Sequence, residues 1–291
     1  MSAATIFLND RAGSLHATPG VEQIREMCAD LGIPAEVVST ESAKQMTEAI
    51  RRLVASGAER VIVAGGDGTI AAAVQELAHT DTALGIIPQG SANNFATALR
   101  LPHDLPSALR VIRDGAVREV DLGKVGDRYF TEAAGVGLFA DSLALYGHGS
   151  NRNVLRALYT MIKLVLSLRA QRLFITADGE QKVERAVMCT VSNSYRMADS
   201  LPVAPEAKVT DEELDVVIVG DLRRRELIPY YRAMRAQLHQ KLEKITTFRA
   251  REIKIESRHR MNVHCDDRVV GTTPATFTSQ PHALKVLVDK L

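Results

Sequence analysis

Three glycines, a carboxylate and a hydroxyl stand together in Gly65-Gly66-Asp67-Gly68-Thr69, and a second glycine-centred turn follows in Pro88-Gln89-Gly90-Ser91-Ala92-Asn93-Asn94. Glycines let a backbone approach a bulky anion, and the first amides of a helix add donors with a favourable dipole, so the pattern points to phosphate binding. Asp67 is poorly suited to touch phosphate, because like charges repel, but among glycines it can hold Mg²⁺ or accept a proton. An isolated Gly-Gly would signal only a tight turn. Four special residues in five positions favour phosphate. The loop is not a Walker A sequence, since no G-x-x-x-x-G-K-[ST] occurs, nor is it G-x-G-x-x-G. The G-x-G at Gly135 and Gly137 falls among strand-like runs and reads as a strand irregularity.

The elements that must hold these turns flank them. ATIFLN, AEVVS, RVIVAG and ALGIIP are short apolar runs, and residues 21–31, 43–56 and 70–78 have helical spacing. Strand and helix in alternation imply a parallel sheet covered by helices, which places both glycine turns at its carboxyl edge, where ligands bind in this class of fold. Gly32 with Pro34 and Gly57 close two helices, and Ser42 or Thr40 can cap the helix between them. Asn93 and Asn94 begin a further helix, for which an ordinary N-cap role is also open.

After about Asp121 the periodicity changes. RLFITADGEQKVERAVMCTVSN, ELDVVIVGD, REIKIES and ALKVLVD read as antiparallel strands, interrupted by helical segments at 154–169 and 224–242, the second entered through Pro229. The expected division is an α/β nucleotide-binding domain over 1–124 and an antiparallel domain over 125–291.

Composition agrees with two packed domains, with 291 residues and 46% of them hydrophobic. The 36 basic and 35 acidic residues give a formal charge of +1, so no global field draws in nucleic acid. Cys28, Cys189 and Cys265 are odd in number and far apart, which argues against a disulfide framework and for a reduced, cytoplasmic setting. The opening MSAATIFLNDRAGS has no basic n-region and reads as a first strand instead of a signal peptide. No apolar run approaches the roughly 20 residues a membrane-spanning helix needs.

GGDGTI, PQGSANNFA and the opening LNDRAG together resemble the diacylglycerol kinase catalytic-domain family, in particular small bacterial lipid kinases related to diacylglycerol, sphingosine and ceramide kinases. That family carries N-P-x-[SA]-G, G-G-D-G-T and P-x-G-T-x-N-D-[FL]-A in this order and spacing. The resemblance continues through VDLG, RYFTEAAGVG, APEAKVTDEELDVVIV and CDDRVVGTTPATF, so it covers essentially the whole chain. G-G-D-G alone is shared with NAD kinases and phosphofructokinases. The resemblance implies a NAD-kinase/diacylglycerol-kinase-like α/β domain, then a β-sandwich lipid-substrate domain, and ATP-dependent, Mg²⁺-assisted phosphorylation of a lipid hydroxyl in the cleft between them. By matching position, Asn9, Thr40, Gly65, Gly66, Asp67, Gly68, Thr69 and Ser91 would contact ATP or its magnesium. Asp121 would join a carboxylate and water network around Mg²⁺, and Asp211 would lie near a second, structural metal. Capping a turn remains an equal alternative for Asp121 and Asp211. Implied partners are a lipid and a peripheral membrane surface, and a homodimer stays open.

The chain also departs from the family. Asp10 stands for the usual proline, while Ser91 and Asn94 replace threonine and aspartate, keeping a hydroxyl and a polar cap. The family's D-G-E near the C-terminus, whose carboxylates take the proton from the lipid hydroxyl, reads Asp266-Asp267-Arg268. Arg268 stays protonated and cannot be a base, which leaves Asp266 in its place and Asp267 as the substitute carboxylate. A literal D-G-E at Asp178 to Glu180 lies between two strand runs and reads as a hairpin turn. Glu212 replaces a glycine of the metal motif. These departures keep open a binding protein without turnover, and the shared G-G-D-G keeps open a kinase of a soluble substrate such as NAD.

The segment NRNVLRALYTMIKLVLSLRAQR places Leu155, Leu158, Met161, Ile162, Val165 and Leu168 on one helical face, with Arg152, Arg156, Lys163, Arg169 and Arg172 around it. Basic amphipathic helices bind anionic membranes, and a helix packed on the sandwich shows the same stripe. The run Arg223 to Arg225 is equally open to a membrane role or a solvated loop.

Overall fold

A computed structural model describes residues 4–9, 19–146, 154–198 and 200–290. It divides into two compact units, residues 1–122 with 281–291, and residues 123–280.

In the first unit the expected alternation is realised. The order is β1 (Ala4–Asn9), α1 (Val21–Asp30), β2 (Ala35–Thr40), α2 (Ala43–Ala55), β3 (Arg60–Gly65), α3 (Asp67–Leu77), β4 (Ala83–Pro88), α4 (Asn94–Ala98), α5 (Leu105–Asp114) and β5 (Ala116–Val125). β1 pairs in parallel with β2 and β3, and β3 with β4. Ile6, Leu8, Ile62, Ala64 and Ile87 point to one side of the sheet and pack with Ile24 and Cys28 of α1 and Leu109 and Ile112 of α5. Every residue of β4 is buried, as expected for a strand covered on both faces. Ser42 caps α2 by accepting the backbone N–H of Gln45 at 3.2 Å. α3 starts at Asp67, three residues before its expected start, because Gly66 serves as its N-cap in extended conformation.

The second unit continues with β6 (Arg128–Phe130), β7 (Ala133–Gly137), α6 (Leu138–Tyr146), α7 (Val154–Ser167), β8 (Gln171–Ala177), β9 (Glu180–Ser192), β10 (Leu214–Gly220), α8 (Leu227–Arg235), β11 (Ile245–Ala250), β12 (Glu252–Ser257), β13 (Asn262–Cys265), β14 (Arg268–Thr272) and β15 (Ala275–Val288). Its strands pair antiparallel, β13 with β14 and β7, β7 with β9, β8 with β9 and β12, and β10 with β9 and β11. They form a β-sandwich whose core gathers Phe130, Val136, Leu173, Cys189, Val216, Ile253, Val263 and Phe277. A two-residue turn at Asp178 (φ 47) and Gly179 (φ 88) joins β8 to β9, so the literal D-G-E is a hairpin. Gly137 (φ 93) ends β7 where an added Cβ would meet the Val187 carbonyl oxygen at 2.3 Å, which accounts for the G-x-G there.

One expectation is refined and one is corrected. ALKVLVD, expected as an antiparallel strand, is the end of β15, whose start pairs antiparallel with β12 and whose end pairs in parallel with β4 through Val286 and Leu84. By packing, residues 281–291 group with the first compact unit. The backbone N–H of His79 donates to Ala283 at 2.6 Å, and Lys285 pairs with Asp81 at 2.6 Å, fastening the strand in place. The helical segment at 224–242 is broken into a 3₁₀ turn, α8 and a second 3₁₀ turn. Gln237 takes a left-handed conformation (φ 58) and Leu238 donates to the Ala233 carbonyl at 2.8 Å, a Schellman closure without glycine.

Candidate active site

The two glycine turns of the first unit touch. A Cβ built on Gly66 would lie 2.9 Å from the Gly90 Cα, and one on Gly90 would lie 2.6 Å from the Gly66 Cα, so the backbones meet where only glycine fits. The Gln89 backbone N–H donates to the Gly65 carbonyl at 2.9 Å, extending the pairing of β3 and β4 by one step. Asn93, left-handed at φ 50, locks the second turn. Its side-chain oxygen accepts from the Gly90 N–H at 2.8 Å and its amide donates to the Gly90 carbonyl at 2.9 Å.

Asp67 ties the turns together. Its carboxylate accepts the backbone N–H of Phe95 at 3.3 Å and also faces those of Asn93 and Asn94. Burial raises its pKa, and these donors oppose the rise. Asn9, at the end of β1, donates to the Thr69 hydroxyl at 3.0 Å, while Thr69 fills the space under Gly65. Thr40, opposite Asn9 in the strand register, gives its hydroxyl to the Leu8 carbonyl at 3.2 Å. Ser91 is exposed in the second turn. Gln89, which the sequence pattern did not single out, is buried at this edge with neither side-chain amide atom hydrogen-bonded.

Asp10 and Gly13 of the first motif lie outside the described residues. Asp121 is buried on β5 and accepts the backbone N–H of His282 at 2.9 Å. Among the described residues no group of three or more His, Cys, Asp or Glu side chains could hold a metal.

In the second unit, Asp266 sits at the turn between β13 and β14 in left-handed conformation (φ 49). One carboxylate oxygen accepts the Thr131 N–H at 3.1 Å and hydroxyl at 3.3 Å, and the other accepts the N–H groups of Glu132 at 2.9 Å and Ala133 at 3.3 Å. Burial pushes its pKa up to about 6 against the pull of these backbone donors, and the neighbouring charge of Asp267 adds to the rise. Asp267 points outward and meets the Arg268 guanidinium at 3.3 Å. Two residues before Asp266, buried His264 is held near 4 by desolvation and packs edge-on against Phe139 at 4.7 Å.

Asp211 accepts from the Glu213 N–H at 3.4 Å, and its other oxygen lies 3.9 Å from the Arg249 guanidinium. Arg249 also donates to Asp215 at 3.2 Å. Glu212 adopts φ 64, the backbone form that suits the glycine it replaces. The Arg249 guanidinium already faces both carboxylates, and among the described residues no group of three or more possible metal ligands gathers there, so the cluster reads as an ion-pair network.

Comparison with known proteins agrees with this architecture. Residues 3–125 match the model of the diacylglycerol kinase catalytic domain, and residues 135–288 match the YegS C-terminal NAD kinase beta sandwich-like domain. A Mycobacterium tuberculosis protein named diacylglycerol kinase is 30% identical over 248 residues, covering 80% of this chain and 78% of that protein. A Bacillus subtilis protein of the same name is 27% identical over 302 residues, covering 100% of this chain and 97% of its own length. A solved structure described as a putative diacylglycerol kinase from Bacillus anthracis superposes with a TM-score of 0.78 at 20% identity, covering 98% of this chain and 96% of that one, which establishes likeness of fold. With both halves of the chain matched in order, and with the G-G-D-G-T and P-x-G turns in contact at the sheet edge, this chain belongs to the diacylglycerol kinase family, phosphotransferases with an alcohol as acceptor.

Proposed function

We propose that the protein is an ATP-dependent lipid kinase that moves the γ-phosphate of ATP to a hydroxyl of diacylglycerol or a related lipid. The observation that carries this reading is the contact of Gly66 with Gly90, pinned by Asp67, which leaves a backbone-lined cradle at the sheet edge. Gln89 fits the same role, because a bound nucleotide would give partners to an otherwise unsatisfied buried amide. Asn9 and Thr69 hold the floor of the cradle, and Ser91 offers its hydroxyl from the second turn. Mg²⁺ usually needs only one or two carboxylates beside substrate phosphates, and when bound it neutralises charge on the transferred group. In this reading Asp67, at the mouth of the first glycine turn, supplies that carboxylate while its backbone donors from the second turn fix its position. The buried Asp121 accepts the His282 amide and so supports the left-handed irregularity at His282 within β15.

Asp266 is assigned to positioning instead of proton removal. A carboxylate has about four acceptor positions, and here four donors occupy them, so Asp266 fixes the Thr131 to Ala133 segment. Asp267 keeps acceptor capacity toward solvent and is the substitute base. Phosphoryl transfer through a loose transition state asks mainly for positioning and charge neutralisation, so one exposed carboxylate suffices. The protein works in the cytoplasm at a membrane surface. Among the described residues no helix is long and apolar enough to cross a membrane.

The test is transfer of labelled γ-phosphate from ATP with Mg²⁺ to lipids in mixed micelles, comparing wild type with Asp67→Ala and offering NAD as a soluble alternative. Labelled lipid from wild type alone supports the assignment. Label on NAD, or an Asp67→Ala protein as active as wild type, sinks it.

A further inference from the structure

Of the stripe expected on α7, Val165 and Leu168 are half-buried and Ile162 faces out, while Arg152 lies outside the described residues. The hairpin of β5 and β6 holds a different departure from an apolar pattern. There Val125 pairs with Arg128 and Gly123 with Phe130. Directly opposed residues of an antiparallel ladder share a face, and alternate residues of one strand return to it, so Arg128 lies on the side that carries Val125 and Phe130. Both of those are buried in the sandwich core. An inward position of this kind ordinarily takes an apolar residue. Here it takes a guanidinium whose Nε is buried without a hydrogen-bond partner. The side chain also bonds the Cys265 thiol, a weak acceptor, and among the described residues no carboxylate pairs with it. A buried donor left without an acceptor is costly, more so on a charged group.

Arg128 lines a cavity of about 530 Å³ whose walls belong wholly to the second unit. Small-molecule sites range over about 300–1,000 Å³. The walls set the chemistry of an occupant. The guanidinium fork offers paired N–H donors that match a carboxylate or a phosphate. Val125, Val263, Val270 and Pro274 give a polar body nothing to bond, so the remainder of the ligand is apolar. Asp127, exposed on the same wall, separates the two anions. Its charge opposes a phosphomonoester, which carries nearly two negative charges, more than a carboxylate, which carries one.

We propose that this cavity is a binding site for an aliphatic monocarboxylate, its head held by Arg128 and its chain laid against the valines. The site uses none of the residues assigned to phosphoryl transfer, so it does not rest on the lipid-kinase reading.

The experiment is titration calorimetry of the full chain with octanoate, octanol and octyl phosphate, each below the concentration at which it aggregates. Wild type should bind octanoate saturably, octyl phosphate less tightly, and octanol at least about tenfold more weakly than octanoate. Arg128→Met keeps an unbranched stem and removes the guanidinium, so octanoate affinity should fall by on the order of ten- to a hundredfold. Gly271 pairs with Val263 across β13 and β14, and no atom lies within 4 Å of a Cβ built on it. Gly271→Leu therefore adds its side chain to open space on the cavity side, and should abolish binding while melting as wild type does. Asp127→Asn should raise the affinity for octyl phosphate to that for octanoate. No octanoate binding by wild type, octanol bound as tightly as octanoate, or an Arg128→Met or Gly271→Leu protein that binds like wild type would overturn the proposal. So would a wild type that prefers octyl phosphate.

Discussion

The carboxylate of Asp67 accepts the backbone N–H of Phe95 at 3.3 Å, so the residue that opens α3 also caps α4, 28 positions further along the chain. Asp67→Asn keeps an acceptor oxygen for this cap and loses the charge, whereas Asp67→Ala loses both. Both variants should lose phosphoryl transfer by on the order of a hundredfold or more. Only the alanine variant should also melt early, by about 1 kcal/mol of stability. Steady-state kinetics beside thermal denaturation separates the two roles, and equal melting of the two variants would argue against the cap.

The glycine contact makes a steric prediction. Gly66→Ala or Gly90→Ala puts a methyl group 2.9 or 2.6 Å from the opposing Cα, where backbone must move. Overpacking of this kind costs about 1–3 kcal/mol, and spreading the turns should weaken ATP binding in titration calorimetry. Gly126→Ala, with open space around it, serves as the control for a methyl group alone, although its φ of 57 adds a small strain of its own.

His264 and Asp266 set opposing pH slopes within nearly the same window. The imidazole is held near 4 when folded against an ordinary 6.5, so the unfolded chain binds the extra proton and stability falls as pH drops from about 6.5 to 4. The Asp266 carboxyl is raised to about 6 from 3.8, so the folded chain binds the extra proton and stability falls as pH rises from about 4 to 6. The two offset each other in wild type. Replacing His264 with phenylalanine should unmask the second slope, and urea titrations between pH 4 and 6.5 would read it. A variant whose stability still rises with pH across that range would refute the assignment.

Arg249 supplies the positive charge between Asp211 and Asp215, so a chelator should leave the melting temperature unchanged. Arg249→Leu should lower stability by roughly 1–3 kcal/mol, between the values for exposed and buried ion pairs. A chelator-induced fall in wild-type melting would show that a metal occupies the site after all.

Much of the frame was legible because its signals are local. Ser42 caps α2, Asp178-Gly179 turns the β8 to β9 hairpin, and the apolar runs of β1 to β4 mark their strands, each through chemistry within a few residues. α5 escaped notice although Asp104 caps it at 2.9 Å and proline stands in its first turn, signals that could have found it. What remained hidden depends on partners far apart in the chain. Nothing near Asp266 announces that Thr131 to Ala133, more than 130 residues earlier, will occupy its carboxylate. Arg249 is likewise separated from Asp215 by 34 positions. The break at Gln237 carries neither glycine nor proline, so no residue type marked it. The direction of β15 is set by β4, nearly 200 residues away, and an apolar run does not specify the orientation of its neighbour.

The return of β15 to the first unit bears on how the protein is made. A ribosome delivers β1 to β4 early, yet the strand that pairs with β4 at Leu84 follows only after the second unit's strands. Until then β4, every residue of which is buried in the finished fold, presents an open edge. The sheet of the first unit is therefore completed only after the sandwich has been synthesised.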